Sequence, residues 1–161
     1  MTVETSLGSL CMDLERLHDG LQGLRLALVE DKPLQGAGAL LDRLGEIALD
    51  LEERSAEALS WATAARQAFE ASRGFEPTRR ALVSCQERCL EIQRKLSSEI
   101  VTYERILEIG ALERERRGEW AAWVESVRRA LEQCQEASQS TSEALFECWK
   151  GISERAGVPA A

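Results

Sequence analysis

The sequence has few of the residues on which most catalytic and metal sites depend. It contains one histidine, His18, three prolines and only 5% aromatic residues. A catalytic Ser-His-Asp or Cys-His arrangement would have to rely on His18 alone. Glu15 and His18 match the Glu-x-x-His fragment of di-iron bundles, but such sites need a second copy of that fragment. One histidine cannot supply it, and we expect His18 to lie beside the core, partly exposed.

Strand patterns and long apolar runs are missing as well. β-branched residues are sparse and never alternate over the length of a strand, whereas Ala, Leu, Glu, Arg and Gln, which favour helices, are abundant. No apolar run approaches the roughly 18 residues of a membrane span, and the first residues lack the charged and apolar regions of a signal peptide. We therefore expect an all-α protein of the cytoplasm with no membrane partner.

Basic charge is scarce in the first half of the chain. The net charge is −8, and residues 1–76 carry 7 Lys and Arg against 14 Asp and Glu. Nucleic acids and anionic membranes attract basic surfaces, so this balance argues against nucleic acid as a partner. Residues 77–161 carry 13 basic and 14 acidic residues and are nearly neutral.

What the sequence does contain is a long leucine seam. Its leucines recur at alternating spacings of three and four residues, at Leu7, Leu10, Leu14, Leu17, Leu21, Leu24 and Leu28. This heptad pattern predicts a helix whose apolar stripe is buried against other helices. Gly20 and Gly23 lie inside the same helix, at a cost of about 1 kcal/mol each relative to Ala. We expect Gly23 to admit the close approach of a neighbouring helix.

Three further amphipathic segments follow, separated by Gly and Pro. The end of the third is ambiguous, because either Gly110 or Gly118 can stop it, and the good helix formers between them favour about residue 117. Short connections between long amphipathic helices predict one domain, residues 1–161, folded as an antiparallel up-down-up-down four-helix bundle with coiled-coil-like helices. The predicted helices cover about residues 5–29, 38–72, 77–117 and 119–155.

Five cysteines are an odd number, which is typical of a reducing compartment rather than of a disulfide framework. Cys85 and Cys89 stand one helical turn apart, a spacing that a metal clip or a redox pair would also use. Cys134 and Cys148 lie about 21 Å apart by helical rise and cannot both join them in one tetrahedron. All four fall on apolar stripes, so we expect them to pack in the core, with no metal and no cofactor.

The four tryptophans are the best candidates for partner contacts, since Trp is enriched in interface hot spots. Trp120 and Trp123 lie three residues apart and share a helix face, where they either plug one end of the core or anchor a partner. Trp149 is adjacent to Cys148 and cannot fully share its buried position. Trp123 and Trp149 are therefore the predicted partner-binding residues.

The first predicted helix is shorter than the others, so parts of helices 2 to 4 should extend beyond it. Their apolar positions would be less covered there, and monomers seldom expose large contiguous apolar patches. We expect another protein, or a second copy of the chain in a homodimer, to cover this strip through helices 3 and 4, where the charge is nearly neutral. Two copies would be related by a twofold axis.

No catalytic or ligand-binding signature emerges from these patterns. They favour a non-catalytic protein–protein interaction module, such as an adaptor, scaffold or assembly subunit, with no small-molecule substrate. The alternative is a small acidic helical chaperone or inhibitor that covers a helix of a partner protein. An enzyme that uses carboxylates alone ranks last, because no spacing singles out a pair of acidic residues.

Overall fold

Four helices and no strand make up the part of the chain that the structure, a computed structural model, describes: residues 2–30, 38–71, 74–109 and 114–155. The all-α prediction is therefore confirmed. The predicted connection at residues 31–37, the stop at Gly110 and the predicted end at Gly157 and Pro159 lie outside the described residues. The helices are α1 (Val3–Glu30), α2 (Gly38–Glu70), α3 (Phe75–Glu108) and α4 (Arg114–Arg155).

Each helix packs against two others, and every packed pair is antiparallel. The packed pairs are α1 with α2, α2 with α3, α3 with α4, and α4 with α1, and within the described residues the diagonal pairs do not meet. In each pair, a later residue of one helix contacts an earlier residue of the other, which gives the up-down-up-down order. The contacts between α1 and α2 are His18–Ser55 and Arg25–Glu52, and those between α2 and α3 are Arg43–Glu99 and Arg54–Glu91. The contacts between α3 and α4 are Cys85–Thr141 and Tyr103–Trp120, and those between α4 and α1 are Asp13–Ser140 and Gly20–Gln133.

The leucine seam of α1 is the centre of the core. All seven of its leucines are buried, and those from Leu7 to Leu21 have no accessible surface. They join buried side chains from the other three helices in one hydrophobic cluster. The predicted burial of the seam is thus confirmed. His18 lies beside it, half-buried, as predicted from its position next to Leu17.

The buried stripe of α4 follows its heptad spacing at most positions and departs from it at three. The spacing that runs through Val124, Val127, Cys134, Thr141 and Cys148, all buried, also predicts Leu131, Ser138 and Leu145 in the core, but these three are only half-buried. The alanines that precede each of them are almost fully buried instead: Ala130, Ala137 and Ala144. Small side chains allow helices to approach closely, and the larger leucines then remain at the edge of the core.

The boundary between α3 and α4 also differs from the predicted one. α3 ends at Glu108 rather than near residue 117, and α4 begins at Arg114 rather than at residue 119. The reason lies in Trp120, whose indole packs against Tyr103 of α3. A helix continued to residue 117 would carry the chain about 21 Å past Tyr103, and the three residues up to Trp120 span only about 11 Å. The chain must therefore reverse earlier.

Gly74 connects α2 to α3 with a backbone that favours glycine. Its φ of 91° and ψ of 176° belong to a region that residues with a Cβ rarely enter. The hydroxyl of Thr78 donates a hydrogen bond to the Gly74 carbonyl, at 3.2 Å. α3 begins at Phe75, and Pro77 lies within its first turn, where a missing N–H costs nothing.

α4 extends beyond the described end of α1, as the predicted difference in length implies. Gly20 lies level with Gln133, so counting about ten residues in opposite directions puts Glu30 level with Trp123. Residues 114–122 of α4 therefore lie past α1. Trp120 is nevertheless fully buried there, because it packs onto α3.

The exposed apolar side chains at this end of the bundle do not form a strip. Val101 and Ile109 of α3 are 64% and 68% exposed. They stand eight residues apart, so they are not neighbours on the helix surface. Among the described residues of this end, the exposed apolar side chains of α3 are thus separate, and the packing of Trp120 on Tyr103 covers the core.

Substitution of two glycines by alanine should change the stability of the bundle in opposite directions. Gly23 is exposed and has no atom within 4 Å of the position that a Cβ would occupy, so the expected close neighbour is absent. Gly23→Ala should therefore stabilise the protein by about 1 kcal/mol through helix propensity alone. Gly151 lies against the ring of Phe75, which a Cβ would approach to 2.4 Å. Gly151→Ala should destabilise by about 1–3 kcal/mol through overpacking.

Urea denaturation of the two variants beside the wild-type protein measures both effects. The midpoint should rise for Gly23→Ala and fall for Gly151→Ala, with no change in the slope of the transition. A rise for Gly151→Ala would show that Phe75 does not pack against the end of α4.

Candidate functional site

The two predicted partner-binding tryptophans have different surroundings. Trp149 is 40% exposed, whereas Trp123 is only 6% exposed. The ring of Trp123 packs at a centroid distance of 6.2 Å from Tyr103, on the same side as Trp120. Its burial contradicts the expectation of an exposed anchor, because its ring, like that of Trp120, packs against Tyr103 of α3. Of these two predicted residues, only Trp149 is accessible to a partner.

Trp120 and Tyr103 close the core at the α3–α4 connection. Their rings meet edge to face, with centroids 5.4 Å apart and planes inclined at 83°. The indole N–H of Trp120 donates a hydrogen bond to the Tyr103 carbonyl at 2.9 Å, so its polar atom is satisfied although the side chain is fully buried. This geometry accounts for the aromatic end as packing.

A buried carboxylate lies one turn of α3 from this aromatic pair. Glu99 is 5% exposed and pairs with Arg43 of α2 at 3.5 Å and with Lys95 at 3.6 Å. Burial, together with the neighbouring Glu99 carboxylate, raises the pKa of the Tyr103 hydroxyl above its usual range. Both cations therefore serve to compensate Glu99, and the cluster ties α2 to α3.

The five cysteines are all buried and free, which confirms the core packing predicted for Cys85, Cys89, Cys134 and Cys148 and adds Cys11. The Cys134 thiol donates a hydrogen bond to the Cys89 carbonyl at 3.3 Å, and the Cys85 sulfur lies 3.9 Å from the hydroxyl oxygen of Thr141. Thr141 itself donates back to the Ala137 carbonyl, at 2.7 Å. In the described ranges, no three His, Cys, Asp or Glu side chains are grouped so that they could hold a metal ion.

Burial changes the acidity of these thiols. It raises the pKa of Cys134 to about 12 and that of Cys148 to about 11. In an unfolded chain a thiol ionises near pH 8.5, so above that pH only the unfolded state gains these thiolates. The stabilising contribution of the two thiols is therefore complete below about pH 8 and is lost as the pH rises through the folded values.

The free energy of unfolding should fall between about pH 9 and pH 11, by up to about 1.4 kcal/mol per pH unit for each thiol. Urea denaturation under reducing conditions at several pH values measures this slope. Cys148→Ala removes one of the titrating groups and should flatten the slope, whatever its effect on stability at pH 7. Equal slopes for both proteins would mean that Cys148 is not buried.

His18 takes part in a hydrogen-bonded chain rather than in a catalytic one. The Ser55 hydroxyl donates to the Glu52 carbonyl at 2.7 Å and lies 2.9 Å from Nδ1 of His18. Because the only hydrogen of that hydroxyl is already used, Nδ1 donates and Ser55 accepts. Ser55 is fully buried, so no substrate reaches its oxygen. The arrangement links α1 to α2.

The remaining candidate is an exposed apolar surface where α3 meets α4. Gln86 of α3 and Ser142 of α4 are joined by a hydrogen bond of 3.4 Å, so both face the groove between these helices. Leu90 lies four residues after Gln86, and Phe146 and Trp149 lie four and seven residues after Ser142, which places them on the same faces. We call Leu90, Phe146 and Trp149 the α3–α4 patch.

All three side chains of the α3–α4 patch are substantially exposed. The exposed fractions are 41% for Leu90, 53% for Phe146 and 40% for Trp149. The rings of Phe146 and Trp149 lie beside each other, with centroids 6.2 Å apart and planes tilted by 31°. They therefore present one aromatic surface to a partner.

The charge beside the patch is mostly acidic along α4. From Leu131 to Trp149, α4 contains four glutamates and no Lys or Arg, although the exposed Lys150 follows Trp149 directly and the exposed Arg94 of α3 lies four residues after Leu90. None of the four glutamates forms an ion pair with any described residue. These residues, which we call the α4 acidic stretch, are Glu132, Glu136, Glu143 and Glu147.

The face between α2 and α3 has the opposite character. Three ion pairs between an arginine and a glutamate cross it along its length. The crossing pairs are Arg43–Glu99, Arg54–Glu91 and Arg88–Glu57. The α4 acidic stretch, next to the α3–α4 patch, has no such pairs among the described residues.

Sequence reasoning found Trp149 but missed Leu90 and Phe146. Leu90 follows Cys89 and Phe146 follows Leu145, both members of apolar stripes, and the heptad spacing assigns no role to either of them. The signal was their register: a large apolar residue outside the core positions of a heptad has no partner within the bundle.

None of the described helices is both long and apolar enough to cross a membrane. Comparisons of the chain with protein-family models, with curated proteins and with solved structures give no significant match. The surfaces of the bundle are therefore the basis for assigning a function.

Proposed function

We propose that this chain is a non-catalytic protein–protein interaction module, acting as an adaptor, scaffold or assembly subunit. The observation that carries the proposal is the α3–α4 patch, in which Phe146 and Trp149 are exposed and lie beside each other. Exposed aromatic side chains on rigid elements are the common anchors of protein interfaces. The partner is another protein, which buries these rings.

The surroundings of the patch support binding rather than catalysis. Ser142 is bonded to Gln86, and Glu143 accepts a hydrogen bond from Gln139 at 3.3 Å. No nucleophile within the described residues is paired with a general base at the patch, which an acyl-transfer or hydrolytic site would require. We further propose that the protein acts in the cytoplasm, since free thiols persist in reducing compartments.

A small acidic helical chaperone or inhibitor is the second candidate. The α4 acidic stretch favours it, because two of its four unpaired glutamates, Glu143 and Glu147, border Phe146. Such a protein would keep an apolar helix of its partner covered until that helix is needed. Capture of the partner would then weaken as the salt concentration rises, because salt screens exposed charges.

Partner capture from an extract of the native host tests the proposal. Trp149→Ala should weaken capture of the bound protein at least about tenfold, because truncating an interface anchor costs about 1.4 kcal/mol or more. Trp61→Ala is the matched control, since Trp61 of α2 is 42% exposed and Trp149 is 40% exposed. Quantitative mass spectrometry of the captured proteins measures the difference.

Three results would count against the proposal. Equal loss of capture in Trp61→Ala and Trp149→Ala would show that the loss of any exposed indole weakens capture, so that the effect is not specific to the α3–α4 patch. Unchanged capture in Trp149→Ala would place the interface elsewhere. Turnover of a substrate by the purified chain would show that it is an enzyme.

A further inference from the structure

We infer that the α3–α4 patch binds an amphipathic helix of a partner protein, and that lysine or arginine residues flank the apolar face of that helix. This inference rests on the proposed function and adds the shape and charge of the partner. It follows from three observations: the direction of the patch, the charge beside it and the charge of the chain as a whole.

The direction of the patch favours a helix. The Cys134 thiol donates a hydrogen bond to the carbonyl of Cys89, so Leu90 lies level with about residue 134 of α4. From that level to Trp149 is 15 residues, or about 22 Å along the helix axis. Leu90 and the Phe146–Trp149 pair thus lie at the two ends of the patch along the groove, and the polar residues Gln139 and Ser142 are exposed between them. About four turns of a third helix match this length.

An extended peptide has less to bind on this surface. Strand addition relies on the free N–H and C=O groups of a sheet edge. Here the backbone groups of α3 and α4 are used within the helices, and the patch offers side chains only. A helix instead presents apolar residues at spacings of three and four along one face, and such a face can pack against Phe146 and Trp149, which stand three residues apart on α4.

The charge beside the patch determines the flanks of the bound helix. The α4 acidic stretch has no basic residue among its members and no ion pair to any described residue. Exposed pairs contribute little to stability, but unpaired carboxylates around an apolar surface attract a basic partner and repel an acidic one. Glu143 and Glu147 border Phe146 directly along α4. A helix with Lys or Arg beside its apolar stripe complements them.

The same charge disfavours a second copy of this chain as the occupant. A twofold axis through the patch would bring the α4 acidic stretch of one protomer against that of the other. Residues 77–161 are nearly neutral as a whole, but their basic residues lie almost entirely before residue 130. The overall charge therefore does not reveal that the α4 acidic stretch is negative. With a net charge of −8, the whole chain also repels its own copy.

The two parts of the surface should have separable effects. The rings of Phe146 and Trp149 lose water on binding and set how long the complex lasts. The glutamates remain at the rim, where charge mainly changes the association rate and its dependence on salt. Removing a ring should therefore raise the dissociation rate, whereas removing the carboxylates should lower the association rate.

A display library of 18-residue amphipathic helices tests the inference with the full chain as the target. Its apolar face is randomised among Leu, Ile, Met, Phe and Trp, and its flanking positions are randomised among Lys, Arg, Glu, Gln and Ser. Binders selected on the wild-type chain should be enriched in Lys and Arg at the flanking positions. Their affinities are then measured by anisotropy of the labelled peptides, and their rates by stopped flow.

Four variants separate the effects, in two matched pairs. Trp149→Ala should weaken the selected peptides at least tenfold, and Trp61→Ala should leave them unchanged. Replacing the α4 acidic stretch by glutamines should lower the association rate at least fivefold and remove most of its salt dependence. The control replaces four exposed, unpaired glutamates elsewhere and leaves the same net charge: Glu4, Glu15, Glu46 and Glu53.

Each outcome decides the inference. Flanks enriched in Glu, flanks without enrichment, or the absence of any binder would overturn it, as would equal effects of the two glutamine variants. Concentration-dependent dimerisation in sedimentation that Trp149→Ala abolishes would assign the patch to a second copy. If host partner capture depends on Trp149 while the library shows no basic preference, the proposed function stands and this inference fails. If capture is also insensitive to Trp149, both fail.

Discussion

Trp120→Ala is expected to destabilise the protein by about 3–5 kcal/mol, the largest loss for any single substitution considered for this chain. Trp120 has no accessible surface, and its ring packs edge to face on Tyr103. The substitution removes that contact and the hydrogen bond from the indole N–H to the Tyr103 carbonyl. It also opens a cavity where α4 first meets α3. Urea denaturation with linear extrapolation measures the loss.

Two further variants distinguish burial from aromatic character. Trp120→Phe keeps most of the packing and loses the hydrogen bond, so it should cost about 1–2 kcal/mol. Trp149→Ala removes an exposed indole and should change stability by less than about 1 kcal/mol. If Trp120→Ala and Trp149→Ala cost the same, Trp120 does not close the core.

Leu17→Ala should cost about 2–5 kcal/mol. Leu17 is central in the seam of α1 and has no accessible surface, so its truncation removes contacts and leaves a cavity among the four helices. Leu26→Ala in the same helix is the control, because Leu26 is 41% exposed and should cost under about 1 kcal/mol. A loss below about 1 kcal/mol for Leu17→Ala would mean that α1 is not docked in the core.

The seam of α1 was predictable because its pattern is both local and strong. Seven leucines at heptad spacing leave one face for burial, and a helix with such a face must pack against others. The same reasoning identified most of the buried stripe in α4 but was wrong for Leu131 and Leu145, which compete with the alanines before them. Which of two adjacent stripes is buried depends on how closely the neighbouring helices approach, and the sequence of α4 alone does not contain that distance.

The end of α3 was predicted wrongly for a related reason. Residues on both sides of Gly110 favour helices, so propensity gives no stop signal before residue 117. The stop is imposed by a tertiary contact, the packing of Trp120 on Tyr103, which requires the chain to reverse before Arg114. A contact between residues of two different helices cannot be read from the pattern of one of them.

The candidate site was partly predictable. Trp149 was identified because it sits beside a buried cysteine and cannot share its position. Trp123 was misassigned because a spacing of three residues shows that two side chains share a face and not which way that face points. Phe146 becomes informative only when the Gln86–Ser142 hydrogen bond shows that its face borders α3.

The central claim is that the function of this chain resides at the α3–α4 patch, and chemical footprinting of its tryptophans tests that claim most directly. Trp61 and Trp149 are almost equally exposed, and Trp120 and Trp123 are buried, so one protein contains the probe and its controls. Without the partner, an oxidant should modify Trp61 and Trp149 at similar rates and leave the other two intact. With the captured partner bound, modification of Trp149 should slow at least tenfold while that of Trp61 is unchanged. Protection of Trp61 with Trp149 still reactive would contradict the claim.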